Sequence, residues 1–118
     1  MLKKKLELLL GERYSESESI RANYSRGEDI FEPILSRGVA FPKNTEEVSK
    51  IVKICNENEI PITAFGTGTS LEGHVLGNEK GITISLEKMD NIININEKDF
   101  DCRVEAFVTR KKLNEKLK

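Results

Sequence analysis

Pro61-Ile62-Thr63-Ala64-Phe65-Gly66-Thr67-Gly68-Thr69-Ser70-Leu71-Glu72-Gly73-His74 opens as a short apolar run and turns at once into glycines and hydroxyl side chains. Ile62 to Phe65 has the composition of a strand, and Pro61 sets its start. Beyond Phe65 the glycines leave the backbone bare, while Thr67, Thr69 and Ser70 add hydroxyl donors. A strand that delivers such a loop can present several N–H groups to one anion, the usual way to hold a phosphate without a cation. Taken alone, this spacing fits a tight structural turn better than a binding loop, because short glycine patterns recur by chance.

The residues upstream give the strand its setting. Val39-Ala40-Phe41, closed by Pro42, reads as a buried strand. Asn44 is a good N-cap with Glu47 three residues on, the capping-box arrangement that satisfies orphan backbone N–H groups. Val48, Ile51, Val52 and Cys55 then recur at helical spacing and predict one apolar face. Asn56-Glu57-Asn58 and Pro61 end that helix. Strand, helix and strand with short joints predict a βαβ unit with two parallel strands.

Downstream, Ile82-Thr83-Ile84-Ser85-Leu86 alternates strictly and predicts a half-buried strand. Ile92, Ile93 and Ile95 predict another, Asp99-Phe100-Asp101 a turn, and Cys102, Val104 and Ala106 a further strand. Thr109 can cap a final helix with Leu113 and Leu117 four apart. That helix runs to Lys118 with no terminating residue, which predicts a truncated chain. Before the first buried strand, Leu2 to Leu10 reads as an amphipathic helix stopped by Gly11. Glu12 to Gly38 is polar and broken, with a low-complexity run at Ser15-Glu16-Ser17-Glu18-Ser19, and reads as loop that needs a partner surface to be ordered. The expected division is an N-terminal helix and loop-rich extension over 1–38 and a domain over 39–118.

Composition excludes several classes of function. The 118 residues are 37% hydrophobic and 33% charged, with a formal net charge of −1 and a pI near 5.9. This suits one globular domain and lacks the excess of Lys and Arg that nucleic-acid binding draws on. Met1 to Lys5 could mimic the basic start of a signal peptide, but Leu6 to Gly11 is too short and too charged to be its apolar region, and no small-residue cleavage site follows. One histidine and two distant cysteines are too few for a metal centre. Cys55 and Cys102 read as free core thiols in a reducing compartment, the cytoplasm. Lys3-Lys4-Lys5 and Lys111-Lys112 read as solvated faces.

Two phosphate motifs fail on inspection. A Walker A loop needs a lysine, and none occurs between Pro61 and Asn78. A Rossmann turn needs a third glycine where Leu71 stands. Glu87 sits at a tempting distance for a ribose-binding carboxylate, but His74 to Lys80 is too short for the crossover helix.

Thr45-Glu46-Glu47-Val48, Ile51 to Asn56, Ile60-Pro61-Ile62 and Gly66 to His74 occur in an order that resembles the FAD-binding domain of the vanillyl-alcohol oxidase superfamily, the PCMH type. Within it, the D-lactate dehydrogenase (cytochrome) and glycolate oxidase D-subunit branch is the nearest likeness. Gly81 to Ile84 with Met89, Asp101-Cys102, Val104-Glu105-Ala106, Val108-Thr109-Arg110 and Leu113-Asn114 continue it, so that it covers about Asp29 to Lys118. The resemblance implies an α+β fold, a small parallel sheet packed with helices, forming the first half of such a domain. It also implies FAD as cofactor. Gly66, Thr67, Gly68, Thr69 and Ser70 would line its pyrophosphate, Gly73 and His74 would follow the cofactor, and Pro42 would lie near the ADP half. His74 corresponds to no flavin-linking residue and reads as a backbone contact or a surface imidazole. The family usually has a glycine where this chain has Phe107, at an approach to the flavin.

In the complete family enzyme a 2-hydroxy acid such as D-lactate or glycolate gives a hydride to the flavin, and a cytochrome, quinone or other acceptor takes the electrons, the enzyme being cytoplasmic and in some cases peripheral to a membrane. No catalytic residue is assigned here, and the chain alone is expected to be inactive. The alternative is a non-catalytic flavin- or nucleotide-binding module, or a decayed remnant working through a partner chain.

Overall fold

The computed structural model describes residues 2–24, 35–66 and 80–117. Helix α1, Leu2–Leu10, buries Leu2, Leu6 and Leu10 and leaves Lys3, Lys4 and Lys5 in solvent. The four-residue spacing of those leucines stacks them on one stripe. The helix ends where Gly11 adopts φ +61°, a left-handed conformation that glycine takes without penalty.

After one 3₁₀ turn, Tyr14–Ser15 forms the short strand β1, and Glu18–Asn23 forms helix α2. Both fall in the stretch expected to be loop. A two-residue edge strand has no readable period, and local bonds order the serine-rich run. The Ser17 N–H donates to Ser15 Oγ at 3.1 Å, the Tyr14 hydroxyl donates to Glu16 Oε2 at 2.7 Å, and Arg21 Nε donates to the Glu16 carbonyl at 3.0 Å.

Strand β2, Gly38–Ala40, is wholly buried. Gly38 is required by packing: a Cβ there would stand 2.7 Å from Cζ and 2.8 Å from Cε1 of Tyr14. Helix α3, Thr45–Glu57, starts as its capping residues dictate, with the Glu47 N–H donating to Asn44 Oδ1 at 2.8 Å. The return arm differs from a standard box, because Glu47 Oε1 accepts from the N–H of Lys43 (2.8 Å). Ile51 and Cys55 are buried, and Ile54 packs beside them. Val52, expected on the buried face, is 42% exposed.

Strands β3, Ile62–Phe65, and β4, Ile82–Ser85, complete a four-stranded sheet of order β1-β2-β4-β3. β2 and β3 each run parallel to β4, with Gly38 and Ile62 both level with Ile82. β1 closes the edge antiparallel, Tyr14 opposite Ala40. The expected βαβ unit is therefore real, but its strands are separated by β4. α1 and α3 pack over one face, where Leu6, Leu10, Tyr14, Ala40, Ile51, Cys55, Ile82 and Ile84 form the core.

β4 corrects the expectation of a half-buried strand, since all four of its residues are buried. Its polar positions are tolerated because their hydroxyls have partners. Thr83 Oγ1 donates to Ser36 Oγ at 2.9 Å, Ser36 Oγ donates to the Gly38 carbonyl at 3.1 Å, and Ser85 Oγ donates to Glu87 Oε1 at 3.3 Å.

Strands β5, Ile92–Asn96, and β6, Asp101–Val104, form a separate antiparallel hairpin. Phe100, in its turn, has φ +56° and is 96% exposed. Helix α4, Arg110–Leu117, follows, capped as expected by Thr109 Oγ1, which accepts from the Lys112 N–H at 3.2 Å. Cys102 is exposed rather than in the core, because β6 is exposed at every residue. Lys112 is not simply solvated, since its Nζ lies 3.4 Å from Asp90 Oδ2. The Phe107 N–H donates to the Met89 carbonyl at 2.8 Å, and the ring is half-buried. No described helix is long and apolar enough to cross a membrane.

Candidate functional site at the carboxyl ends of the parallel strands

Three parallel strands point their carboxyl ends the same way, which is where an open α/β sheet binds its ligands. Beyond β2 stand Phe41 and Pro42, beyond β3 Gly66, and beyond β4 Leu86 and Glu87. The Leu86 N–H donates to the Phe65 carbonyl at 3.0 Å, so β3 and β4 remain joined up to that edge.

Tyr24, just after α2, ties these ends together. Its ring meets Phe41 edge-on, centroids 5.1 Å apart at 84°, and meets Phe65 at 5.3 Å and 69°. Its hydroxyl donates to Glu87 Oε1. Burial, and then the bond to Glu87, raise the Tyr24 phenol to about 12, so it stays protonated and donating. Tyr24 thus touches a residue at the end of each of the three parallel strands.

Arg13 holds the adjoining turn. Its guanidinium grips Glu47 through Nη1–Oε1 at 2.6 Å and Nη2–Oε2 at 2.8 Å, and Nη1 also donates to the Phe41 carbonyl at 3.1 Å. The bidentate bond to Arg13 is the main reason the Glu47 carboxyl falls from 4.5 to about 2. Between these groups opens a cavity of about 400 Å3, lined by Glu12, Arg13, Tyr24, Phe41, Glu87 and Lys88.

Of the residues singled out in sequence, Pro42 and Gly66 are described. Pro42 follows β2 with its ring buried, and Gly66 is exposed at the end of β3. They stand at the ends of the two strands that flank β4. Thr67, Gly68, Thr69, Ser70, Gly73 and His74 lie outside the described residues, as does Glu72. At Gly66 the φ is outside the left-handed region, and a Cβ there would meet nothing within 4 Å. Nothing among its described neighbours calls for glycine, unlike at Gly38. Bare backbone at the mouth of a parallel strand suits a dinucleotide pyrophosphate.

Sequence reasoning missed Tyr24 and Arg13, which sit in or beside the run read as loop. It set Glu87 aside together with the Rossmann motif. Among the described residues no group of three or more His, Cys, Asp or Glu could hold a metal ion.

Comparison with known proteins bears on what such an edge holds. A family profile described as an FAD binding domain matches residues 36–118. The probable mitochondrial D-lactate dehydrogenase of Danio rerio is 40% identical over 107 residues, 91% of this chain and 22% of the relative. D-lactate dehydrogenase [cytochrome] 1 of Saccharomyces cerevisiae is 45% identical over 84 residues, 69% of this chain and 14% of its own length. Glycolate oxidase subunit GlcD of Bacillus subtilis is 31% identical over 97 residues, 82% and 21% respectively. The chain therefore spans about a fifth or less of the length of these relatives. Among solved structures, p-cresol methylhydroxylase superposes with a TM-score of 0.85 at 24% identity, over 98% of this chain and 24% of that one. Alkyldihydroxyacetonephosphate synthase superposes with a TM-score of 0.88 at 13% identity, over 98% and 24%. These two likenesses establish the fold, an α+β arrangement of the PCMH type.

Proposed function

The chain belongs to the FAD binding domain family, matched over residues 36–118, and from that premise we propose that it is the FAD-binding portion of a flavin-dependent 2-hydroxy-acid dehydrogenase of the D-lactate or glycolate type. The observation that carries this is a bare Gly66 at the carboxyl end of a parallel strand, opening the run Gly66 to His74. The D-lactate dehydrogenases and glycolate oxidase subunits among its relatives support the substrate class.

In this reading Gly66, Thr67, Gly68, Thr69 and Ser70 hold the pyrophosphate through backbone N–H groups and hydroxyls, Gly73 and His74 follow the cofactor, and Pro42 lies near its ADP half. Binding by backbone donors needs no lysine in the loop. When bound, FAD supplies a two-electron acceptor, so that the 2-hydroxy acid leaves as its 2-oxo acid and a cytochrome, quinone or similar acceptor takes the electrons onward. The described residues orient and hold; none is assigned proton or hydride transfer. The division at residue 38, the extension over 1–38 preceding the partial domain over 39–118, is part of the same reading. So is a reducing, cytoplasmic setting, which the free thiols of Cys55 and Cys102 favour.

The test is a titration of the purified chain with FAD, followed by quenching of flavin fluorescence. Saturation at one FAD per chain is expected, with no bleaching of the bound flavin on adding D-lactate. Absence of binding in a chain that is folded by circular dichroism would overturn the cofactor role. Bleaching by D-lactate would overturn the assignment of no catalysis to this chain.

A further inference from the structure

We propose that Tyr24 is a positioning residue for the cofactor site: it holds the end of β3, where Gly66 follows Phe65, in place against the ends of β2 and β4. The inference rests on the FAD reading for its consequence but on geometry for its content. Phe65 is the last residue of β3, is 6% exposed, and directly precedes Gly66. The Tyr24 ring meets Phe65 edge-on and meets Phe41, the residue after β2, in the same way. Its hydroxyl is bonded to Glu87, just beyond β4, and Glu87 also accepts from Ser85 Oγ. One side chain therefore gauges the relative positions of three strand ends from outside the sheet.

Two rings meeting Tyr24 at 84° and 69° leave little freedom to rotate the Phe65 side chain without losing contact. The peptide that joins Phe65 to Gly66 is held at its carbonyl by the Leu86 N–H at 3.0 Å, and the Phe65 ring against Tyr24 keeps the end of β3 in the place where that bond can form. Backbone donors bind an anion well only when they are aimed before it arrives, because reorganisation is charged against affinity. Glu87 plays a second part: a carboxylate at the mouth of an anion site would repel the pyrophosphate, and the bond from the protonated Tyr24 phenol draws it toward the ring.

The experiment compares wild type, Tyr24→Phe and Tyr24→Leu in the full chain. Binding is read with FAD and with riboflavin, which carries the same ring system but no pyrophosphate. Amide exchange is read without ligand at Leu86, whose N–H donates to the Phe65 carbonyl. Tyr24→Leu removes both edge-on contacts and is expected to weaken FAD roughly tenfold while leaving riboflavin within about threefold. Exchange at Leu86 should quicken in that variant while the amides of α1 and α3 are unchanged. Tyr24→Phe keeps the rings and should restore slow exchange at Leu86 and lose only part of the FAD affinity.

Equal weakening of FAD and riboflavin, with exchange quickened throughout, would reduce Tyr24 to a general stabiliser and overturn the proposal. Unchanged FAD affinity in Tyr24→Leu would overturn it too. A wild type that binds no FAD removes the cofactor reading, and the exchange at Leu86 then decides the positioning role by itself.

Discussion

Glu47→Gln isolates the clamp that closes the β2–α3 turn. Gln keeps the size of the side chain, and the Asn44 cap uses the backbone N–H of residue 47, so the helix start survives. What is lost is the charge that Arg13 grips at 2.6 and 2.8 Å. The fall of the carboxyl from 4.5 to about 2 sets a ceiling of about 3.4 kcal/mol, at roughly 1.36 kcal/mol per pH unit. With the two side chains 25% and 13% exposed, solvent screening reduces this to about 1–2 kcal/mol. Because the folded value is depressed, the stabilisation is complete above the ordinary value of 4.5 and is lost as the pH falls from there toward 2. Urea unfolding followed by circular dichroism should therefore separate wild type from the variant by about 1–2 kcal/mol at roughly pH 7, and by less than half of that at roughly pH 3. Equal stabilities near neutrality, or a gap that persists undiminished in acid, would refute the assignment of the clamp to this ion pair.

Packing and exposure elsewhere in the chain set three further outcomes. Gly38→Ala forces a methyl against the Tyr14 ring and should cost about 1–3 kcal/mol in the same urea experiment. Gly66→Ala meets no neighbour, so stability should hold or rise by about 0.4–1 kcal/mol, while FAD affinity in the quenching titration falls about tenfold or more. A maleimide probe should modify Cys102 at once and Cys55 only on unfolding, because Cys55 is buried and its thiol is pushed above its usual range by desolvation.

Much of this was legible in the sequence, and the reasons are local. The Asn44 cap, the stop at Gly11 and the Thr109 cap are set by residues within one turn of the feature they control, and each appears in the structure. β4 was misjudged because alternation measures side-chain chemistry, while burial depends on which strands lie alongside. Thr83 and Ser85 are interior because β2 and β3 flank them and neighbouring oxygens accept their hydroxyls. Val52 follows the helical period yet remains exposed, since the covering layer over α3 lies toward Ile51, Ile54 and Cys55. Cys102 alternates with Val104 as a buried strand would, but its hairpin stands apart from the main sheet. Tyr24 and Arg13 gave no signal, because their partners Phe65, Glu87 and Glu47 are far away along the chain. Of the glycine run, Gly66 is the residue that lies among those described.

The strand order has a consequence in time. As a ribosome delivers this chain, β2 and β3 emerge before β4, although neither pairs with the other and both pair with β4. Until Ile82 to Ser85 are out, β3 has no neighbour to its hydrogen-bonding edge, and β2 has only β1. Neither parallel ladder can form until the last interior strand has emerged, and each then closes against the loop-closure cost of the segment before it. Because Gly66 follows β3 and Glu87 follows β4, the two come to one edge only after the central strand has emerged to join their strands.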